Sequence, residues 1–134
     1  MRDAYHNQSV ASVLAPAART STATGETVDL LGYGSATFIF DVGVATDGVF
    51  AFTIEESAND SDWTTVAAGN LLGTAPTVDA AGDPAEDEQV YTCGYAGSAR
   101  YVRAKCTVTG SPSTGAVFAV SVVRGHPHVA PVAA

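Results

Sequence analysis

The sequence predicts an all-β protein, a single β-sandwich of jelly-roll or immunoglobulin-like type, on three observations. Apolar residues recur with a period of two in several short runs. Clusters of Gly, Asn, Asp, Ser and Pro punctuate those runs at short intervals. No segment of ten residues keeps a 3.6-residue period without a breaker, so a helix has nowhere to sit.

The elements follow in chain order. Residues 12–18, SVLAPAA, read as a short extended piece that Pro16 confines to a sheet edge, because proline donates no ladder hydrogen bond. Residues 28–34, VDLLGYG, give a second short piece. Residues 36–44 place Ala36, Phe38, Phe40, Val42 and Val44 on one face, and residues 49–57 place Phe50, Phe52 and Ile54 on one face. Asp47-Gly48 between them is a good turn pair, so these two runs are expected to form a hairpin. Residues 62–68, DWTTVAA, read as a strand with Trp63 and Val66 near the core. Residues 69–88 are the loosest part, with at most one short strand near Thr77-Val78 and five acids from Asp79 to Glu88. Residues 89–95, 99–109 and 115–125 are three more strands. The last is apolar on both faces, which predicts a central strand covered on both sides. The predicted organisation is an N-terminal arm (1–10), a sandwich (11–125) and a C-terminal tail (126–134).

The totals bound the function. A chain of 134 residues buries about two-thirds of its unfolded surface, enough for one core. The apolar fraction is 46% and the charged fraction 15%, which predicts a folded chain rather than a disordered one. Six basic residues against fourteen acidic ones leave a formal charge of −8. Nucleic acid is not an expected partner, because affinity there comes from Lys and Arg displacing counterions. An anionic membrane surface is disfavoured for the same reason, and no apolar run reaches membrane-helix length. The stretch SVASVLAPAA imitates a signal peptide, but polar residues precede it and serine breaks its apolar run, so no signal peptide is expected. Alternation puts Cys106 in the core. If residues 89–95 and 99–109 form a hairpin turning near Gly97, Cys93 lies nearer Val102 than Cys106, and a disulfide is disfavoured. Two free thiols fit a reducing compartment such as the cytosol.

Motifs for chemistry are sparse. His126 and His128 flank Pro127, and the remaining histidine is His6, 120 positions away. Zinc needs three or four ligands, and Pro127 favours an extended tail, so no metal is expected. Glu55, Glu56, Asp60 and Asp62 lack the glycine and spacing of a calcium loop. No nucleophile elbow, HExxH or phosphate loop is present, so neither catalytic residues nor a cofactor is predicted. Arg103 and Lys105 point outward from one strand, with Arg100 beside them. This is either a solvated face or a positive strip for an acidic neighbour such as a second copy.

The ordered segments VLAPAARTSTATGETVDLLGYGSATFIFDVG, TDGVFAFTIEESANDSDWTTVAAGNLLG, GYAGSARYVRAKCTVTG and VVRGHPHVAP resemble small head-associated proteins of tailed bacteriophages and gene transfer agents. The likeness runs from about Val13 to Pro131 and is carried by GY-SATF, EES-ND-S-W, RYVR and RGHPH. It implies a β-sandwich on the outside of a phage head, made in the host bacterial cytoplasm. Such a protein decorates or cements the shell, binds the major capsid protein, and forms a homo-oligomer, commonly a trimer. It implies no enzymatic activity. Tyr5, His6, Arg100, Arg103, Lys105, Arg124, His126, Pro127 and His128 are the expected contact residues. A head-spike base or tail adaptor is the nearest rival reading. A carbohydrate- or host-surface-binding module is the third, with Tyr33, Trp63, Tyr91 and Tyr95 as aromatic platforms to check.

Overall fold

The computed structural model describes residues 3–82 and 86–132. Residues 83–85, inside the acidic stretch, and the last positions of both expected arms lie outside the described residues. The strands are β1 (Ser9–Arg19), β2 (Ala23–Thr24), β3 (Val28–Asp29), β4 (Tyr33–Ala45), β5 (Val49–Ser57), β6 (Thr64–Thr65), β7 (Leu71–Leu72), β8 (Thr77–Asp79), β9 (Gln89–Tyr95), β10 (Tyr101–Thr109) and β11 (Ala116–Pro127). Two 3₁₀ turns, Tyr5–Asn7 and Ala68–Asn70, are the helical elements among the described residues.

The strands form two antiparallel sheets packed face to face, the all-β sandwich expected. The first runs β1-β11-β4-β9-β7. The second runs β2-β10-β5-β6, with β3 also on β10 and β8 also on β5. The pairs nest as β5 with β8, β4 with β9, β5 with β10 and β4 with β11, closed by β1 on β11 and β2 on β10. First and last strands are neighbours, the short β2 and β3 carry the chain to the second sheet between β1 and β4, and from β4 on successive long strands alternate between sheets, which is the winding of a jelly roll.

That winding corrects the expected hairpin. Residues of β4 and β5 lie in different sheets and do not pair, although Asp47-Gly48 joins them. The connection is an arch over the end of the core. The reason lies in the inward faces. Phe38, Phe40 and Val42 of β4 and Phe50, Phe52 and Ile54 of β5 are all buried. Placed in opposite sheets they cover each other; side by side they would all need a third layer. The Phe40 and Phe52 rings meet at 5.0 Å, and Phe118 of β11 meets Phe52 at 5.0 Å and Phe50 at 6.0 Å. The Asp47 carboxylate ties down the arch by accepting the backbone N–H groups of Ser113, Thr114 and Gly115. Gly48 has φ +89°, a left-handed conformation that favours glycine.

The same crossing separates the cysteines. β9 lies in the first sheet and β10 in the second, so the turn near Gly97 also crosses layers. Cys93 stands opposite Phe38 and Cys106 opposite Phe52, and both are buried free thiols. Burial raises the Cys93 pKa and pushes that of Cys106 up to about 12.

β1 lies at the edge of its sheet, as Pro16 requires, with register breaks between Ser12 and Leu14 and between Leu14 and Ala17. β11 is central, between β1 and β4. Its outer face is not covered by this chain, however: Val117 is exposed and Ala119, Ser121 and Val123 are only half-buried. Val66 is in the core, whereas Trp63 lies half-exposed.

The sandwich has two distinct ends. At the arch end lie the Asp47-Gly48 turn, the 110–115 loop, and the acids Asp79, Glu86, Asp87 and Glu88. At the other, here the terminal end, both chain termini meet. Two outcomes test this core. Phe118→Ala is expected to lower unfolding free energy by about 3–5 kcal/mol, because it empties the junction of three rings; urea denaturation measures it. Neither thiol is expected to react with a chromogenic disulfide reagent at pH 8 until denaturant is added, and both then react.

Candidate interaction surfaces

The termini close on each other and on the body. β11 runs through Pro127, opposite Tyr33 of β4. The His128 backbone N–H donates to the Gly32 carbonyl at 2.8 Å, and that of Val132 donates to the His6 carbonyl at 2.9 Å. β1 begins at Ser9, opposite Arg124. The described parts of both expected arms are therefore folded against the sandwich. What they offer a neighbour is side chains rather than a free strand of backbone.

Most of the residues predicted from sequence as contacts converge here. Tyr5 stands open to solvent, with its ring edge-on to His6 at 5.1 Å. The His6 Nδ1 contacts the Asp3 carboxylate, which holds Asp3 below the usual carboxylate range. Arg100 makes two hydrogen bonds to Asp29, at 3.0 and 2.9 Å. That guanidinium lowers the Asp29 pKa, and Asp29 in turn raises that of Arg100. His126 has φ +48° and shares a 2.9 Å hydrogen bond between its Nδ1 and the Ser35 hydroxyl. Exposed Leu31 and Val129 add apolar surface at the same end.

Arg124 is placed differently from its neighbours. It donates to the Asp29 carbonyl at 3.1 Å and the Ser9 hydroxyl at 2.8 Å, and its guanidinium lies 4.7 Å from the centre of the Tyr33 ring. It fastens β11 to β1, β3 and β4, so much of its binding capacity is spent inside the chain. Arg103 and Lys105 are not at this end at all. They point from the outer face of the second sheet, where Arg103 pairs with Glu55 at 2.8 Å and covers the Trp63 ring at 4.1 Å. The Arg103 guanidinium stacks on one face of the half-exposed Trp63 ring.

Three recesses open at the terminal end, one of them of about 370 Å³ between Leu31, Tyr33 and Val129. A groove of about 790 Å³ runs between the 3₁₀ turn and β11, lined by Asn7, Gln8, Thr37, Val123, His126 and Pro127 among others. A smaller pocket of about 290 Å³ lies between the Leu31–Ser35 stretch and the Gly97–Arg100 turn. At its wall the Tyr95 hydroxyl accepts the Ala99 N–H at 2.9 Å and donates to Glu56 at 2.6 Å. Burial and the Glu56 bond push its pKa up to about 12. Among the described residues no group of three or more His, Cys, Asp or Glu side chains could hold a metal ion. Among the described residues no carboxylate is hydrogen-bonded to the His126 ring, so the Ser35–His126 pair shows no orienting third member of a triad. The sequence had no signal for this pair, whose members are 91 positions apart.

A scan against protein-family models finds no match to this chain, and a search of curated proteins finds none either.

Asp3, Asp29 and Asp47 each have a folded pKa below the ordinary value of 3.8. The unfolded chain therefore takes up these protons first. The stability they contribute is complete above the unfolded pKa and is lost as pH falls through the lower folded values. Unfolding free energy is expected to drop from pH 5 to pH 2, and Asp29→Asn to flatten part of that drop. Urea midpoints across this range measure both.

Proposed function

We propose that this chain is a structural subunit of a phage-type head, bound to the outer face of the major capsid protein as a decoration or cement protein. Two lines support the reading. The ordered segments from Val13 to Pro131 resemble head-associated proteins, and seven of the nine contact residues expected from the sequence, Arg124, His126, Pro127 and His128 of the resemblance among them, lie at one end of the body. The observation that carries it is this convergence: Tyr5, His6, Arg100, Arg124, His126, Pro127 and His128 come from both termini and from the β9–β10 turn. They share the terminal end with exposed Leu31 and Val129. A terminal end that joins exposed Leu31 and Val129 to a recess suits a subunit that stands on a surface.

The mechanism is additive. A subunit spanning two capsomers adds buried area that must be exposed again before they part, and a stable contact needs about 1,000 Å² or more. Repetition over a shell multiplies a modest gain at each site. Membership of a homo-oligomer on the shell, a trimer by the resemblance, belongs to the same reading. Jelly rolls occur in both viral capsids and lectins, so the fold alone does not choose between a shell protein and a sugar binder. The Arg103 guanidinium on one face of Trp63 leaves less of that ring for a sugar and favours the former.

The test is co-sedimentation with purified particles. Because β1 starts at Ser9 and β11 ends at Pro127, deletions of residues 1–8 or 129–134 spare the sandwich. Each is expected to reduce particle-bound protein at least tenfold while the thermal unfolding transition remains cooperative. Unchanged binding by both deletions refutes the terminal end as the attachment site. Band densities from intact particles separate a cement protein, at hundreds of copies, from a spike base at about a dozen.

A further inference from the structure

The outer face of the five-stranded sheet is nearly free of charge. Its rows can be read from the register. One row crosses all five strands: Val10, Val123, Thr37, Gly94 and Leu72. The next is Ser12, Ser121, Ile39 and Thr92, and the third is Ala119, Asp41 and Val90. Val117 packs beside Gly43 beyond them. Among the described residues of these rows Asp41 is the single charged side chain. Val10 is 66% exposed, Leu72 67% and Val90 62%, although each is apolar.

We propose that this face binds a second copy of the chain, face to face, with the strands of the two copies antiparallel. Area is the first argument. The rows taper across the sheet, with five, four, three and two positions, and these fourteen positions of about 4.8 by 6.8 Å cover about 460 Å² per copy. The pair buries about 900 Å², the size of a weak contact. Charge is the second. A two-fold axis along the strands sets Asp41 against Asp41 and the acidic flank Glu86, Asp87 and Glu88 against its own copy. An axis across the strands through Ile39 avoids both. It sets each Asp41 over Thr37, whose hydroxyl can donate to the carboxylate. Side-chain size is the third. The same axis lays Val123 over Ala119 and Val90 over Gly94, so large residues meet small ones. A face that complements itself under one two-fold axis closes at two copies. This pairing covers Thr37 and Val123, which also line the groove beside the first 3₁₀ turn, and it differs from the trimer implied by the resemblance.

Sedimentation equilibrium of the full chain reads the result. A dimer is expected, with Ile39→Lys and Thr92→Lys each weakening it at least tenfold and Thr53→Lys, on the outer face of the other sheet, leaving it unchanged. Two lysine variants are used so that one that fails to fold leaves the other to decide. An Ile39→Cys chain is expected to cross-link to itself with a short bismaleimide, because facing sheets lie about 10 Å apart. Val117→Cys is expected not to do so. The native thiols are buried and silent. A monomer, a trimer, a dimer indifferent to both lysines, or self-linking through Val117→Cys overturns the proposal. Loss of particle binding with the dimer intact counts against the shell reading alone.

Discussion

The rings of Phe40, Phe50, Phe52 and Phe118 form the contact on which the rest of the structure depends. They come from three strands in two sheets, and each sheet buries its apolar face only because the other supplies the facing rings. This constraint forces the chain to cross from layer to layer at nearly every long connection. The crossing brings β1 against β11, and that pairing delivers both termini to one end of the body. The location of the candidate attachment end is therefore a consequence of core packing.

Cations are the second constraint. With few basic residues, the chain uses several of them internally. Arg124 joins β1, β3 and β4 to β11, Arg100 neutralises Asp29, and Arg103 pairs with Glu55 over Trp63. Arg19 donates to the Ala15 carbonyl and lies 5.6 Å from the Phe118 ring centre. A positive strip for an acidic partner is thus largely neutralised within the chain. Net negative charge is left at the arch end and on the loops of the second sheet, and recognition falls to apolar and neutral surface.

The period-two pattern made the fold class legible, because an inward-facing residue must alternate with an outward one whichever strand lies beside it. It could not show which strands pair. Asp47-Gly48 serves a hairpin or an arch equally well, and only the need of Phe38 and Phe40 for an opposing layer decides between them. The apolar outer face of β11 misled in the same way. Val117 and Val123 have the composition of covered residues but are left open by this chain. At the candidate site, His126-Pro127-His128 marked a segment that the fold places at the terminal end. Its proximity to Tyr5 and His6 depends on closure of β1 on β11, a contact between the two extremes of the sequence. Arg103 and Lys105 looked like part of the same basic group, but the alternation of their strand points them out of a different sheet.

Those misleading residues bear on assembly. A side chain such as Val117 or Val90 gains nothing from an outward position on an isolated sandwich, and serine or lysine would serve solubility better there. The second sheet follows that rule, with Arg103, Lys105, Thr53 and Glu55 on its outer face. The first sheet breaks it at Val10, Leu72, Val90 and Val117, keeps the hydroxyls of Ser12, Ser121 and Thr92 in the row between, and carries one carboxylate, Asp41. A single charge on such a face costs little in water, yet it distinguishes two ways of stacking that apolar contact alone would leave equal. The face therefore carries both the area for association and the means of fixing its direction, and the terminal ends remain open on opposite sides of the pair.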